Sequence, residues 1–153
     1  MSLPDREGAG QVAISPESEQ TAVALLRREC HLLAERVRDW APARWQAAAG
    51  PGITRSDGMW ALVRRLGEWG REAGSGAPPR AVPARLGDHG LGDQLRVMAA
   101  DLLTAPSVGT VAARALADVL RTRTLLDGTR PPAHAAAIAG IAAELEAGTY
   151  PAG

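Results

Sequence analysis

The sequence predicts an all-α protein, a four-helix bundle with a long crossover between the second and third helices and an additional C-terminal helix. The first observation is an apolar seam whose members follow one another at steps of three and four residues. Its members are Val23, Leu26, Cys30, Leu33, Val37 and Trp40. This spacing puts the side chains on one stripe of a helix, which has to be buried against other helices. Weaker stripes of the same spacing recur downstream, without strand-like alternation of useful length.

The composition is that of one folded domain with no charge preference. The chain has 153 residues, 46% of them hydrophobic, and its formal net charge is zero. A neutral balance argues against a nucleic acid and against a membrane surface as partner, since both favour basic proteins. All 17 of the Lys and Arg positions hold arginine, a pattern typical of a GC-rich bacterial genome.

Residues 1–14 read as a flexible N-terminal tail, and residues 15–153 as a single helical domain. The tail has no apolar stretch of the kind that a signal peptide requires. The single cysteine, Cys30, lies on the apolar seam and is expected to be a buried structural thiol. We therefore expect a cytoplasmic protein without an intrachain disulfide.

Capping signals predict where the first two helices begin. Ser15 followed by Pro16 suits the N-cap and the first helical position, and the helix should run to about residue 40. Residues 41–53 form a connection, with a short helical turn around 44–49. Thr54 and Asp57 then resemble a capping box for the second helix, which should end near residue 73. The inner face of the second helix consists of Met59, Leu62, Val63, Leu66 and Trp69.

Glycine and proline mark the crossover and the later breaks. Residues 74–87 are too rich in both to be helical. Asp88 is expected to cap a third helix over about 90–104. The break at 105–107 is tight, so the third and fourth helices should be antiparallel neighbours. The fourth helix covers about 107–126, with Gly128 as its C-cap glycine.

A C-terminal helix over about 131–147 is apolar on two sides. One face carries Ile138, Ile141 and Leu145, and small residues, among them Ala136, Gly140 and Ala143, form the opposite face. Contact on both sides indicates either a tight inner position or a subunit interface. Trp60 projects away from the inner face of the second helix, where it either packs under the crossover or anchors an interface. The predicted interface residues are Trp60, Ala136, Gly140 and Ala143.

No catalytic constellation or metal-ligand spacing is present, so we expect no catalytic residue, no metal and no cofactor. His31 falls on the outer face of the first helix, whereas His89 lies where the crossover meets the third helix. His134 begins the C-terminal helix on its buried side, as a polar contact or as part of a pocket. If the helices enclose a ligand pocket, its candidate residues are His134, His89, Arg80 and Arg85.

The layout of four main helices with a long connection after the second resembles the DinB-like superfamily. Its mycothiol-dependent maleylpyruvate-isomerase-like branch has a stretch of the type Pro-Gly-Trp-Thr-x-x-Asp before the second helix, and residues 51–57 match it at Gly52, Thr54 and Asp57. The resemblance implies a helical bundle and, in metal-binding members, a divalent ion held by histidines. Ala61 stands where the second helix would carry such a histidine. The metal site and the thiol-transferase activity therefore do not carry over.

These patterns favour a non-catalytic binding or assembly module of bacterial origin, forming a homodimer. The alternative is a small-ligand-binding protein of the DinB-like kind, or a divergent thiol-dependent enzyme, with a pocket inside the bundle. A transcription regulator is disfavoured, because no helix-turn-helix with a basic recognition helix is evident.

Overall fold

In this computed structural model we describe residues 15–76 and 83–128 and the single positions 137, 140, 141 and 143. The described part is mostly helical, with one small two-stranded sheet, so the predicted all-α class is confirmed. The helices are α1 (Pro16–Val37), α2 (Pro42–Gln46), α3 (Arg55–Glu72), α4 (Leu91–Thr104) and α5 (Val108–Asp127). The strands are β1 (Ala48–Gly50) and β2 (Ile53–Thr54). The N-terminal tail, Arg80, His134, Ala136 and most of the predicted C-terminal helix lie outside the described residues.

The helix ends follow the capping signals. The Ser15 hydroxyl accepts the backbone N–H of Ser18 at the start of α1. At the start of α3 the capping box is complete: the Asp57 N–H donates to Thr54 Oγ1 at 3.1 Å, and the Thr54 N–H donates to Asp57 Oδ2 at 3.2 Å. Gly128 ends α5 with a φ of 61°, the left-handed conformation that glycine adopts without strain. These predictions hold because each cap is made by residues close in sequence.

A short antiparallel hairpin between α2 and α3 was not predicted. It pairs β1 with β2, and Gly52 in its turn has a φ of 70°. The strands have 3 and 2 residues, so they are too short to produce a readable alternation. α2 starts earlier than the predicted turn of helix, at Pro42, and gives way to β1 after Gln46.

Each long helix packs against two others: α1 and α3 both contact α4 and α5. α1 and α5 run in the same direction, since Glu19 approaches Gly109 at one end and Arg36 pairs with Asp127 at the other. α4 and α5 are antiparallel, but they face each other across a diagonal and share few contacts. The prediction that they are direct neighbours was wrong, because the chain from residue 104 to 108 reaches up to about 14 Å, enough to cross the diagonal.

The core forms where the predicted stripes of α1 and α3 meet α4 and α5. All five predicted inner residues of α3 are buried, and so are the central members of the α1 seam, while Val23 and Trp40 are partly buried against it. The largest buried side chains include Trp45, Leu26, Leu33, Met59, Leu66, Leu95, Leu102 and Leu116. None of the helices in the described ranges is long and apolar enough to cross a bilayer.

Candidate functional site

Arg85, a predicted ligand-binding residue, attaches the crossover to the start of α3. Its guanidinium donates to Asp57 Oδ1 at 3.1 Å and to Ser56 Oγ at 2.7 Å. The Ser56 hydroxyl is buried and donates to Asp88 Oδ1 at 2.5 Å, and Gln46 Nε2 donates to Asp88 Oδ2 at 2.6 Å. Most hydrogen-bond donors and acceptors of these five side chains are paired with one another. Together they therefore hold the crossover in place.

Asp88 does not cap α4, contrary to the prediction. Gly90 occupies the N-cap position, and a 3-10 turn over Asp88–Gly90 precedes the helix. The side chain of Asp88 is drawn away by Ser56 and Gln46, which are distant in sequence. Hydrogen bonds from Ser56 and Gln46 thus take the place of the expected capping hydrogen bond between Asp88 and the backbone of α4.

The residues that carry the DinB-like resemblance have local roles here. Gly52 makes the hairpin turn, and Thr54 and Asp57 form the capping box of α3. Backbone and side-chain hydrogen bonds from Thr54, followed by the hydrogen bond from Arg85, hold the pKa of Asp57 below its ordinary value. The carboxylate that these bonds require is therefore kept charged down to acidic pH. Gly52, Thr54 and Asp57 would stabilise the same hairpin and helix start in any chain that contains them.

A buried carboxylate on α5 joins α3 and α5. Asp118 accepts the indole N–H of Trp69 at 2.7 Å and Nε of Arg65 at 3.2 Å, and it also pairs with Arg121. The guanidinium groups of Arg65 and Arg114 lie 4.7 and 4.8 Å from the Trp69 ring centroid. Sequence reasoning missed Asp118, which directly precedes the buried Val119. The carboxylate of Asp118 is satisfied by these donors, whereas the buried Nε of Arg114 has no hydrogen-bond partner among the described residues. The contacts of Asp118 are therefore structural.

A second set of charges joins α1 and α5. Glu29 is buried and accepts Arg123 Nη1 at 2.8 Å, while Arg36 Nε lies 2.8 Å from Asp127 Oδ1. The pairs occur in the same order along both helices. They fix the register of α1 against α5, because a shift of either helix would leave buried charges unpaired.

Cys30 has the properties of an inert core thiol. It is 4% exposed. Burial, and after it the negative charge of Glu29, raise the pKa of the thiol to about 12. Because the thiolate is the nucleophile, these surroundings work against chemistry at Cys30.

We expect Cys30 to resist alkylation in the folded protein. At pH 8 its thiolate fraction is about a thousandfold lower than with the ordinary pKa, and the side chain is also buried. Mass spectrometry after brief iodoacetamide treatment should show modification in urea but not in buffer. Rapid stoichiometric labelling of the folded protein at pH 8 would contradict this assignment.

Histidines do not converge in the described part of the chain. His31 and His89 are exposed at separate places, and His134 lies outside the described residues. Among the residues that the structure describes, no group of three or more His, Cys, Asp or Glu side chains is placed to hold a metal ion.

An apolar groove runs between the first halves of α1 and α5, and we call it the α1–α5 groove. It has a volume of about 370 Å³. Its apolar lining residues are Ala22, Leu25, Gly109, Ala113 and Leu116 together with Ile141 of the C-terminal segment, which is 41% exposed. Its polar lining residues are Glu17, Ser18, Glu19 and Thr21. Gly109 permits the close approach, since a Cβ there would lie 2.7 Å from Glu19 Oε2. The groove thus offers apolar surface on both helices, and Ile141 adjoins it.

Two of the predicted interface residues, Gly140 and Ala143, are exposed beside Ile141. A Cβ built on Gly140 meets nothing within 4 Å. Trp60 was predicted to project outward from α3, whereas in the structure it is half-buried and packs against the core. Whether these residues form an interface remains a prediction, and Ala136 lies outside the described residues.

A second cavity, the α1–α4 cleft, lies where the end of α1 meets the start of α4. Its volume is about 430 Å³, and it is lined by Ala34, Val37, Arg38, His89, Gly92, Asp93 and Arg96. His89 is therefore the one predicted ligand residue that the described structure places in a cavity. Arg85 is used by the crossover, and Arg80 lies outside the described residues.

Comparison of the chain with protein-family models, with curated proteins and with solved structures gave no match. The α1–α5 groove, the α1–α4 cleft and the residues around them are therefore the features that bear on the function of the protein.

Proposed function

We propose that the protein is a non-catalytic assembly module of the bacterial cytoplasm, a four-helix bundle with an additional C-terminal helix that pairs with a second copy. One observation carries the proposal. Ile141 lines the α1–α5 groove while its side chain stays 41% exposed, and Gly140 and Ala143 beside it are exposed as well. We infer that the C-terminal segment turns the apolar side chain of Ile141 toward the groove and its small residues toward a partner.

The course of the chain supports an antiparallel C-terminal helix on the groove. Gly128 ends α5 in a left-handed conformation, which favours a reversal of direction. Ile141 follows Gly128 at about the same sequence distance as Ala113 and Leu116 precede it. A helix that returns along α5 brings Ile141 level with these two groove residues.

Small residues on the outer face favour a second copy of the same helix as the partner. Glycine and alanine let two helix backbones approach closely, and a two-fold axis brings the same face of each copy together. Gly140 and Ala143 are one helical turn apart, so they lie on one face. The open space at Gly140 is the space that a partner helix needs.

We expect size-exclusion chromatography with light scattering to show a dimer at micromolar concentration. Gly140→Arg should convert it to a monomer with an unchanged circular-dichroism spectrum, because the new side chain occupies the contact. The matched control is Val97→Arg, on α4, where the native side chain is 55% exposed and no contact is proposed.

A wild-type protein that is monomeric at micromolar concentration would contradict the proposed assembly function. If Trp60→Arg were monomeric and Gly140→Arg still dimeric, the dimer interface would lie on α3 and not on the C-terminal segment. Loss of helical signal in Gly140→Arg would be resolved by Ala143→Gln, a milder change on the same face.

Alternatively, the protein is a DinB-like small-ligand-binding protein or a divergent thiol-dependent enzyme. The α1–α4 cleft supports this alternative, because it could hold a small ligand. The long connection between α3 and α4 agrees with the layout on which the resemblance depends. Metal analysis of the purified protein, with a thermal-shift screen against thiols and anions, separates the two functions. Stoichiometric metal or a large thiol-dependent stabilisation would favour the alternative.

A further inference from the structure

The α1–α4 cleft has a firm floor. Ala34 and Val37 are 0% and 2% exposed and belong to the core. Gly92 brings α4 close to them, because a Cβ at this position would lie 3.3 Å from Val37 Cγ2. An alanine at Gly92 would require the side chain of Val37 to move by a few tenths of an ångström. The cleft is therefore a fixed gap between packed helices.

Arg96 is a fixed part of the wall. Its Nη1 donates to Asp93 Oδ1 at 3.0 Å, and its Nη2 pairs with Glu35 on α1. These two carboxylates hold the guanidinium across the gap and largely neutralise its charge. A guanidinium has five N–H donors, so Arg96 can still donate to a ligand while it is held.

Arg38 and His89 supply the accessible donors. The guanidinium of Arg38 lies 3.8 Å from Glu35, beyond hydrogen-bond distance, and its side chain is 67% exposed. The imidazole of His89 folds over Gly87, where a Cβ would lie 3.1 Å from its Cε1. The missing side chain at Gly87 thus allows the ring its position at the mouth of the cleft.

The geometry points to a small organic carboxylate as the ligand of the α1–α4 cleft, bound by Arg38 and His89 with Arg96 as the fixed wall. The planar fork of arginine matches the two oxygens of a carboxylate. The volume of about 430 Å³ lies within the range of small-molecule pockets. Asp93 and Glu35 beside Arg96 repel a doubly charged phosphate more than a singly charged carboxylate. This inference is independent of the proposed dimer.

Propionate is the probe, and the imidazole signals of His89 are the readout in a heteronuclear NMR titration. We expect His89 to shift saturably, while exposed His31 on α1 stays unchanged as an internal control. Arg38→Gln should weaken propionate binding at least tenfold. Arg28→Gln makes the same charge change at an exposed position of α1 and should leave binding unchanged. Arg38→Lys keeps the charge without the fork and should give an intermediate loss.

A linear shift without saturation, or equal shifts at His31 and His89, would overturn the site. Equal weakening by Arg28→Gln and Arg38→Gln would reduce it to general electrostatic attraction. Tighter binding of inorganic phosphate than of propionate would overturn the carboxylate class. Circular dichroism of each variant checks that Arg38, which is mostly exposed, can be replaced without loss of fold.

Discussion

Replacing Asp118 by alanine is expected to lower the free energy of unfolding by about 2–4 kcal/mol. The residue is 9% exposed, and its carboxylate accepts the buried indole N–H of Trp69. Alanine would leave that donor without its partner and remove the counter-charge of Arg65. The loss should be somewhat smaller than for a fully buried ion pair, because the side chain of Arg65 is 48% exposed. Urea denaturation followed by circular dichroism measures the change.

Two further variants separate the contributions at Asp118. Asp118→Asn keeps an oxygen acceptor for Trp69 without the charge, so about half of the loss is expected. Glu68→Gln removes another carboxylate partner of Arg65, but that side chain is 46% exposed. It should change stability by less than about 0.5 kcal/mol. If Glu68→Gln proved as damaging as Asp118→Ala, the buried carboxylate would not be the centre of this cluster.

Replacing Trp45 by alanine is expected to cost about 3–5 kcal/mol. Trp45 is 2% exposed and packs against Trp40, with the two ring centroids 5.0 Å apart. It belongs to α2, which has 5 residues and is preceded by Ala41 at the N-cap, whose methyl group cannot cap a helix. So short a helix is not stable by its own hydrogen bonds. Trp45 is therefore the attachment of α2 to the core.

The matched control is Trp60→Ala, which deletes the same side chain from a half-buried position. We expect it to cost about 1–2 kcal/mol, since less apolar surface returns to water. Thermal unfolding of both variants gives the comparison. Equal losses would show that α2 is held by contacts other than Trp45.

The helices were predictable because their signals are local. The Ser15 cap, the capping box of Thr54 and Asp57 and the left-handed Gly128 each act within one helical turn. The hairpin was not predictable, since strands of 3 and 2 residues carry no period. The diagonal placement of α4 and α5 was missed for a similar reason: a short connection determines the direction of a helix but not its neighbours.

The candidate site was less predictable, because polar residues acquire their roles from distant partners. Arg85 was predicted as a ligand residue, and the sequence did not indicate that it holds the crossover through Ser56 and Asp57. Glu29 and Asp118 look like surface residues until their partners on other helices are known. Their one visible signal is a position directly beside an apolar stripe. His89 was predicted as a ligand residue and lines the α1–α4 cleft, whereas its neighbours Arg38 and Arg96 were not singled out from the sequence.

Apolar periodicity and capping residues are properties of short stretches of chain, so they suffice to establish a helical protein and most of its helix ends. The pairing of helices decided the rest. It placed Asp118 under Trp69, put Ile141 at the groove between α1 and α5, and gathered Arg38, His89 and Arg96 around one cleft. Burial and charge pairing act between residues far apart in the chain, and only their arrangement in space shows which of them meet.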